Sequence, residues 1–253
     1  MGLKDFFGGS KKKDAFREEA KELAKGKLTP GKAQELAELS EKHGIDDPSD
    51  DKTLLRKSIY NQAVGAAKAR GKLTENEAGE LAKIQKFLAL RDDQVEKTKF
   101  DVTRLRTLTE IRQGKLPTVP ASNVALRGAQ FNPGEVAHYC LPVDVLDTPS
   151  TGGHLGVRVK WATPYVANSA RGHSVPGDGA KPLGEGSLIL TSTRLYLRAG
   201  KSAAVEYAPE ANFYLYSDGL RIERTVGHTI LRFKSQSEGT AEIVGELLAA
   251  LMR

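Results

Sequence analysis

The stretch Gly184 to Gly200 reads Gly-Glu-Gly-Ser-Leu-Ile-Leu-Thr-Ser-Thr-Arg-Leu-Tyr-Leu-Arg-Ala-Gly and decides the fold of the second half of the chain. Leucines alternate with other residues on both sides of a polar break at Thr191 to Thr193. Alternation with a period of two around a polar break indicates a half-buried β-hairpin. In its second strand, Leu195 and Leu197 would face the core. The residues predicted to face solvent are Arg194, Tyr196 and Arg198.

Further strand patterns flank this hairpin. Two precede it, at about 136–141 and 155–161, and four follow it, at about 204–207, 213–216, 220–224 and 229–233. Ser217-Asp218-Gly219 is typical of a tight hairpin turn between two of them, with Asp-Gly favouring type I′. An amphipathic helix at about 239–252 ends the chain. The pattern predicts a bent antiparallel sheet of about seven strands and one C-terminal helix.

This half resembles bacterial PH-like or GRAM-like domains, in which one helix closes an open end of a bent sheet. The resemblance covers about residues 134–253 and implies that the domain binds a lipid head group or a peptide and has no catalytic activity. The segments that carry it are Gly-Glu-Val at 134–136, Gly-Val-Arg-Val at 156–159, Ala-Arg-Gly at 170–172, the hairpin at 186–200 and Ser-Asp-Gly-Leu-Arg-Ile at 217–222.

An internal repeat organises the first half of the chain. Gly26-Lys27-Leu28-Thr29 recurs 45 residues later as Gly71-Lys72-Leu73-Thr74. Each copy reads as helix, tight turn and helix, since the glycine suits the left-handed end of one helix and the threonine suits the N-cap of the next. Thr74 and Glu77 have the spacing of a capping box, and Pro30 follows Thr29 at a first helical position.

The repeat resembles the helical module of tellurite-resistance TerB-like proteins, over about residues 14–92. The turn is also similar to the second half of an EF-hand loop, but Ala66, Lys68 and Arg70 stand where acidic ligands belong. We therefore predict no metal site there. A separate acidic cluster at 46–51 favours a solvated loop over a cation site.

Residues 93–113 continue as a helix whose apolar stripe could pack on the repeat or pair with another copy of the chain. Residues 114–133 contain Pro117 and Pro120 and little periodicity, which predicts an interdomain linker. We thus expect an α+β protein of two modules. Its predicted parts are an N-terminal segment at 1–13, an all-α repeat domain at 14–113, the linker at 114–133 and the PH-like domain at 134–253.

Composition limits the functional classes. The 253 residues carry a formal net charge of +6, spread over both halves without a basic block. No apolar run reaches the length of a membrane span, no secretory signal is visible, and the single cysteine favours a reducing cytosol. No nucleotide-binding, hydrolase or metalloprotease motif is present, so we expect no enzymatic activity, no catalytic residues and no cofactor.

Two groups of residues are candidates for binding. Cations on the exposed side of the predicted sheet would attract anions such as a lipid head group. They are Arg158, Lys160, Arg171, Arg194 and Arg198. The N-terminal segment could form a membrane contact, with an aromatic face before a lysine run. Its residues are Leu3, Phe6, Phe7, Lys11, Lys12 and Lys13.

These patterns favour a cytoplasmic, non-enzymatic adaptor of a bacterial stress-response type. Its partner would be another protein or an anionic membrane, in which case the protein would lie at the inner face of the membrane. A nucleic-acid-associated stress protein that uses the basic face of the sheet is the alternative. An enzyme whose site is assembled from distant residues is the third interpretation.

Overall fold

In the computed structural model, the chain is an α+β protein that divides into two compact units, residues 1–109 and 110–253. The structure describes residues 3–45, 47, 53–147, 156–160, 173–175, 181–200, 202–223, 228–234 and 239–253, and the side chains from residue 11 onward apart from that of Asp147. Helices fill the first unit, and the second contains an antiparallel sheet with a C-terminal helix. The predicted fold class is therefore confirmed.

In the part of residues 3–112 that the structure describes, five α-helices follow one another. They are α1 (Leu3–Lys25), α2 (Lys32–Lys42), α3 (Thr53–Arg70), α4 (Glu75–Phe87) and α5 (Glu96–Arg112). The helix α1 runs through Gly8 and Gly9, so residues 3–13, predicted as a separate N-terminal segment, belong to this helix. Of the predicted acidic loop at 46–51, only Asp47 lies within the described residues.

The core of the helical unit is built from the apolar faces of all five helices. Phe16 and Ala20 of α1 contribute to it, as do Leu36 of α2, Ile59 of α3 and Leu81 of α4. The stripe on α5 also joins this core, through Val95, Leu105 and the half-buried Val102. Of the two uses that the sequence left open for this stripe, packing on the repeat is the one that the structure contains.

The second helix of each repeat copy begins in a different way. In the second copy, Gly71 has a positive φ of 65°, and Thr74 and Glu77 form the predicted capping box. In the first copy, α2 begins later than predicted, with Gly31 at the N-cap and no side-chain cap. Thr29 is therefore not a cap. Lys32 stands in that copy where Glu77 stands in the second, so the reciprocal carboxylate is missing.

Within the described residues of the second unit, eight strands form one antiparallel sheet. Their order in the sheet is β2-β6-β7-β8-β1-β3-β4-β5. The long β1 lies inside it, between β8 and β3. The strands are β1 (Ala137–Asp147), β2 (Val157–Val159), β3 (Lys181–Thr191), β4 (Arg194–Arg198), β5 (Ala203–Glu206), β6 (Asn212–Leu215), β7 (Gly219–Glu223) and β8 (His228–Phe233).

The hairpin that the sequence placed at 184–200 is formed by β3 and β4, which turn at Ser192 and Thr193. The turn between β6 and β7 differs from the prediction. Leu215 pairs with Leu220, and Tyr216 N–H donates to Gly219 O, so Ser217 and Asp218 are the two turn residues. Gly219 lies in β7, where an added Cβ would come within 2.5 Å of Leu231 O.

Residues 117–131, predicted as linker, cover one face of the sheet. Val119 N–H donates to Ala137 O at 2.8 Å. Leu126, with Val119 and Phe131, packs against Ile189 of β3 and Tyr196 of β4. Because these apolar side chains leave water only through that contact, the segment belongs to the second unit and does not act as a spacer.

The helix α6 (Thr240–Leu251) ends the chain and buries most of its length. Its apolar residues Val244, Leu247 and Leu248 are fully buried. Its one buried acid, Glu246, accepts from Arg112 Nε at 2.8 Å and Nη2 at 2.6 Å. This pair ties the end of α5 to α6 within the second unit.

Candidate functional site

The described cations of the predicted basic face lie on strands that are not neighbours in the sheet. Arg158 on β2 and Lys160 directly after it are exposed, as predicted. Arg194 and Arg198 lie on β4, and five strands separate β2 from β4 in the sheet. Arg171 lies outside the described residues. The sequence could show that these side chains leave the core face, but not how far apart their strands lie.

Arg194 is held inside the protein. Its Nε and Nη2 atoms each lie 3.0 Å from an oxygen of Glu135, and Nη2 also donates to Gln130 O at 2.8 Å. Its guanidinium lies over the Tyr196 ring, 5.5 Å from the ring centre. Only 15% of the Arg194 side chain is exposed. These contacts use the donors that an anion would need, so the expectation that Arg194 is solvated is wrong.

Arg198 is engaged in a similar way. Its Nη1 atom donates to Arg127 O, and its Nη2 atom lies 3.4 Å from Ser187 Oγ. Tyr196, between the two arginines, is buried against the covering segment. The outer face of β3 and β4 is therefore an interior surface. The apolar run Leu188-Ile189-Leu190 was a signal for this, because a strand with one wet face alternates apolar with polar residues.

Glu135 anchors this arrangement. Its side chain is fully buried, and it accepts hydrogen bonds from Arg194, from Thr191 Oγ1 and from Asn132 N–H. Burial alone would raise the pKa of Glu135, but the hydrogen bonds and the charge of Arg194 lower that pKa overall. The buried pair is therefore ionised at neutral pH and serves the fold.

The predicted membrane segment is part of α1. Leu3, Phe6 and Phe7 lie in the first turns of this helix, and their side chains are outside the described residues. Lys11 and Lys12 are exposed, and Lys13 is half-buried. Among the described residues, no helix combines the length and the hydropathy needed to cross a membrane.

A groove with a volume of about 600 Å³ lies between α1 and α2. Helical spacing of three and four residues places one row of side chains from each helix along it. The half-buried Leu23 and Leu39 contribute the apolar part of its lining. We call this the acidic groove. Its other lining residues are Glu18, Glu19, Glu22, Glu35, Glu38 and Lys42.

Two carboxylates of the acidic groove, those of Glu18 and Glu19, form exposed ion pairs with lysines. The hydrogen bond from Lys21 lowers the pKa of Glu18, and the hydrogen bond from Lys42, followed by that from His43, lowers the pKa of Glu19. The Lys21–Glu18 distance is 2.9 Å and the Lys42–Glu19 distance is 2.8 Å. Exposed pairs of this kind contribute little to stability, so a cation from another molecule could replace a lysine at small cost.

The sequence did contain a signal for the acidic groove. Glu18, Glu22, Glu35 and Glu38 share helical faces with a leucine, but a pair of carboxylates on a helix is common in any soluble domain. Only the packing of α1 beside α2 brings the two rows together. The described residues contain no group of three or more His, Cys, Asp or Glu side chains that could hold a metal ion.

Comparison with known proteins leaves the candidate site to be argued from geometry. No protein-family model matches the chain, and no curated protein matches it either.

Proposed function

We propose that this protein is a non-enzymatic adaptor that binds a partner protein through the acidic groove. The observation that carries the proposal is the groove itself, in which two leucines are surrounded by five glutamates and one lysine. Apolar lining with an excess of carboxylates around it fits the chemistry of a basic amphipathic helix. Such a helix would place apolar side chains on Leu23 and Leu39 and direct its lysines and arginines towards the glutamates.

Charge also favours a protein over the other partners considered. The lysine that lines the groove, Lys42, already pairs with Glu19, so the lining offers no free cation to a phosphate backbone or an anionic membrane. On the sheet, two of the four described candidate cations, Arg194 and Arg198, already bond to the protein itself. A cytoplasmic adaptor of TerB-like and PH-like parts, active in bacterial stress response, remains the biological setting that we propose.

The test uses a synthetic peptide of about 18 residues, with leucines and lysines at helical spacing so that it can form a helix on binding. Its affinity for the full chain would be measured by fluorescence anisotropy. We expect Glu38→Lys to weaken binding at least about tenfold, because it places a like charge against the peptide. Glu41→Lys is the matched control, since Glu41 is exposed on the same helix and does not line the groove.

Sedimentation with anionic vesicles separates the membrane alternative. Equal peptide binding by the Glu38→Lys and Glu41→Lys chains would contradict the proposal, and so would failure of the intact chain to bind. The intact chain is compared with a double variant that carries Arg158→Glu and Lys160→Glu. If the intact chain sediments with vesicles at low salt and the double variant does not, the partner is a lipid surface and not a protein.

A further inference from the structure

One edge of the sheet is left open by the described chain. The strand β5 pairs with β4 and is the last strand in the sheet order. Tyr207 N–H donates to Thr193 O at 3.2 Å, and the register continues with Arg194 opposite Glu206. Since antiparallel strands alternate bonded and non-bonded pairs, the N–H and C=O groups of Glu206 and Ala204 point away from β4. Both of these residues are exposed.

A cavity of about 480 Å³ lies beside this edge. Ala204 and Val205 of β5 line one side of it, and Asn212 of β6 and Glu223 of β7, which are paired in register, line the other. Ala208 and Ala211, in the connection from β5 to β6, also line the cavity. Their small side chains leave the space next to β5 unfilled.

The chemistry of the cavity points to a donor-rich, cationic occupant. The Oδ1 atom of Asn212 is buried and accepts no hydrogen bond within the described residues. A buried acceptor without a donor is unfavourable until one arrives. Glu210 also lines the cavity, and neither it nor Glu206 on the open edge forms an ion pair with any part of the chain that the structure describes.

We infer that β5 binds an extended segment of a partner protein, which adds to the sheet as one more strand. The outward backbone groups of Ala204 and Glu206 bond to the main chain of that segment, as in other cases of strand addition. A lysine or arginine of the segment enters the cavity and pairs with Glu210. This site is independent of the acidic groove, because it lies in the other unit and binds an extended chain instead of a helix.

A second copy of the protein fits this edge less well than a basic segment does. Two paired β5 strands would both bring Glu206 and the nearby Glu210 to the same edge, and like charges across paired strands are destabilising. A basic segment replaces that repulsion by attraction to Glu206 and Glu210. The charge of the edge therefore selects a partner that differs from the chain itself.

The experiment selects a displayed library of random peptides, each about six residues long to match a typical strand, on the immobilised full chain. Peptides enriched on the intact chain are synthesised, and their affinities are measured. Ala204→Pro removes an outward N–H without breaking the β4–β5 ladder, since proline is tolerated at such edge positions. Glu210→Lys reverses a charge in the exposed connection and keeps the test valid if the proline variant does not fold.

We expect the enriched peptides to contain a lysine or arginine and to lose at least about tenfold in affinity for both variants. Glu96→Lys on α5 is the control and should leave the affinity unchanged, since Glu96 is exposed and lines neither the acidic groove nor the cavity beside β5. The inference would be overturned if the selection enriched no peptides on the intact chain relative to the Glu210→Lys chain. It would also be overturned by enriched peptides without a basic residue, or by affinities that neither edge variant changes.

Discussion

At the scale of single residues, Glu135 and Arg194 determine how the second unit is assembled. Glu135 lies just before β1 and Arg194 begins β4, so the pair joins two parts of the chain that are distant in sequence. A buried ion pair is favourable only when further hydrogen bonds satisfy its atoms. Thr191 Oγ1, Asn132 N–H and Gln130 O do so here. An arginine that the sequence offered as a ligand site is thereby a structural residue.

Acid should weaken the protein through this pair. The pKa of Glu135 is lowered in the folded chain, so its contribution to stability is fully present above the unfolded pKa of about 4.3 and is lost as the pH falls through the lower folded value. Glu135→Gln should lower the free energy of unfolding at pH 7 by about 3 kcal/mol, because Arg194 is left without its counter-charge. It should also reduce the loss of stability between neutral and acid pH.

Urea unfolding of the intact and Glu135→Gln chains at pH 7 and at about pH 3 measures both effects. Glu206→Gln is the control, since Glu206 is exposed at the sheet edge. Parallel pH profiles for the intact and Glu135→Gln chains would show that the pair does not contribute to acid sensitivity.

At the scale of elements, the helical repeat was predictable and its details were not. Glycine at the end of α3 and threonine at the start of α4 are local signals, and Gly71, Thr74 and Glu77 act as the sequence indicated. The first copy has the same four residues but begins α2 at Lys32. Lys32 stands where the acid of a capping box would be, so the reciprocal hydrogen bond is missing. The N-cap of α2 is then Gly31.

The two threonines of the repeat should therefore differ in their effect on stability. Thr74→Ala removes the hydrogen bond that the Thr74 side chain accepts from Glu77 N–H and should lower the free energy of unfolding by about 1 kcal/mol. Thr29→Ala at the matching position should change it by less than about 0.5 kcal/mol, because Thr29 is exposed and does not cap α2. Thermal melts of the two variants give the comparison. Equal losses would show that Thr29 also caps a helix in solution.

At the scale of the whole molecule, local patterns give the type of each unit but not its boundary. The change from helical to alternating spacing separates the two kinds of structure, as at Leu195 and Leu197, which are buried as expected. The residues between the helical and the strand segments show no periodic pattern of apolar side chains. Nothing in the local sequence therefore shows that Leu126 is buried. Its partners, Ile189 and Tyr196, are more than sixty positions away. The exposure of Arg194 and Tyr196 was mispredicted for the same reason.

Two fragments of the second unit test where it begins. A fragment of residues 110–253 retains the covering segment, whereas a fragment of 134–253 loses Val119, Leu126 and Phe131, together with the Pro117 O atom that lies 2.7 Å from His138 Nδ1. Burial of one such apolar side chain contributes about 1.5–3 kcal/mol, so the shorter fragment should lose several kcal/mol and melt at a much lower temperature. Circular dichroism of both fragments during heating measures this difference.

A pair of single variants separates this packing from an effect of fragment length. In the 110–253 fragment, Leu126→Ala should lower the free energy of unfolding by about 2 kcal/mol, because Leu126 is 8% exposed. Val124→Ala, two positions earlier, should have almost no effect, since Val124 is 62% exposed. Equal melting temperatures for the two fragments, or equal effects of the two variants, would mean that residues 114–133 are a linker in solution. A lower melting temperature of the shorter fragment, together with a larger effect of Leu126→Ala than of Val124→Ala, would show that residues 114–133 are the first part of the second unit. Their apolar side chains would then complete the core on that face of the sheet.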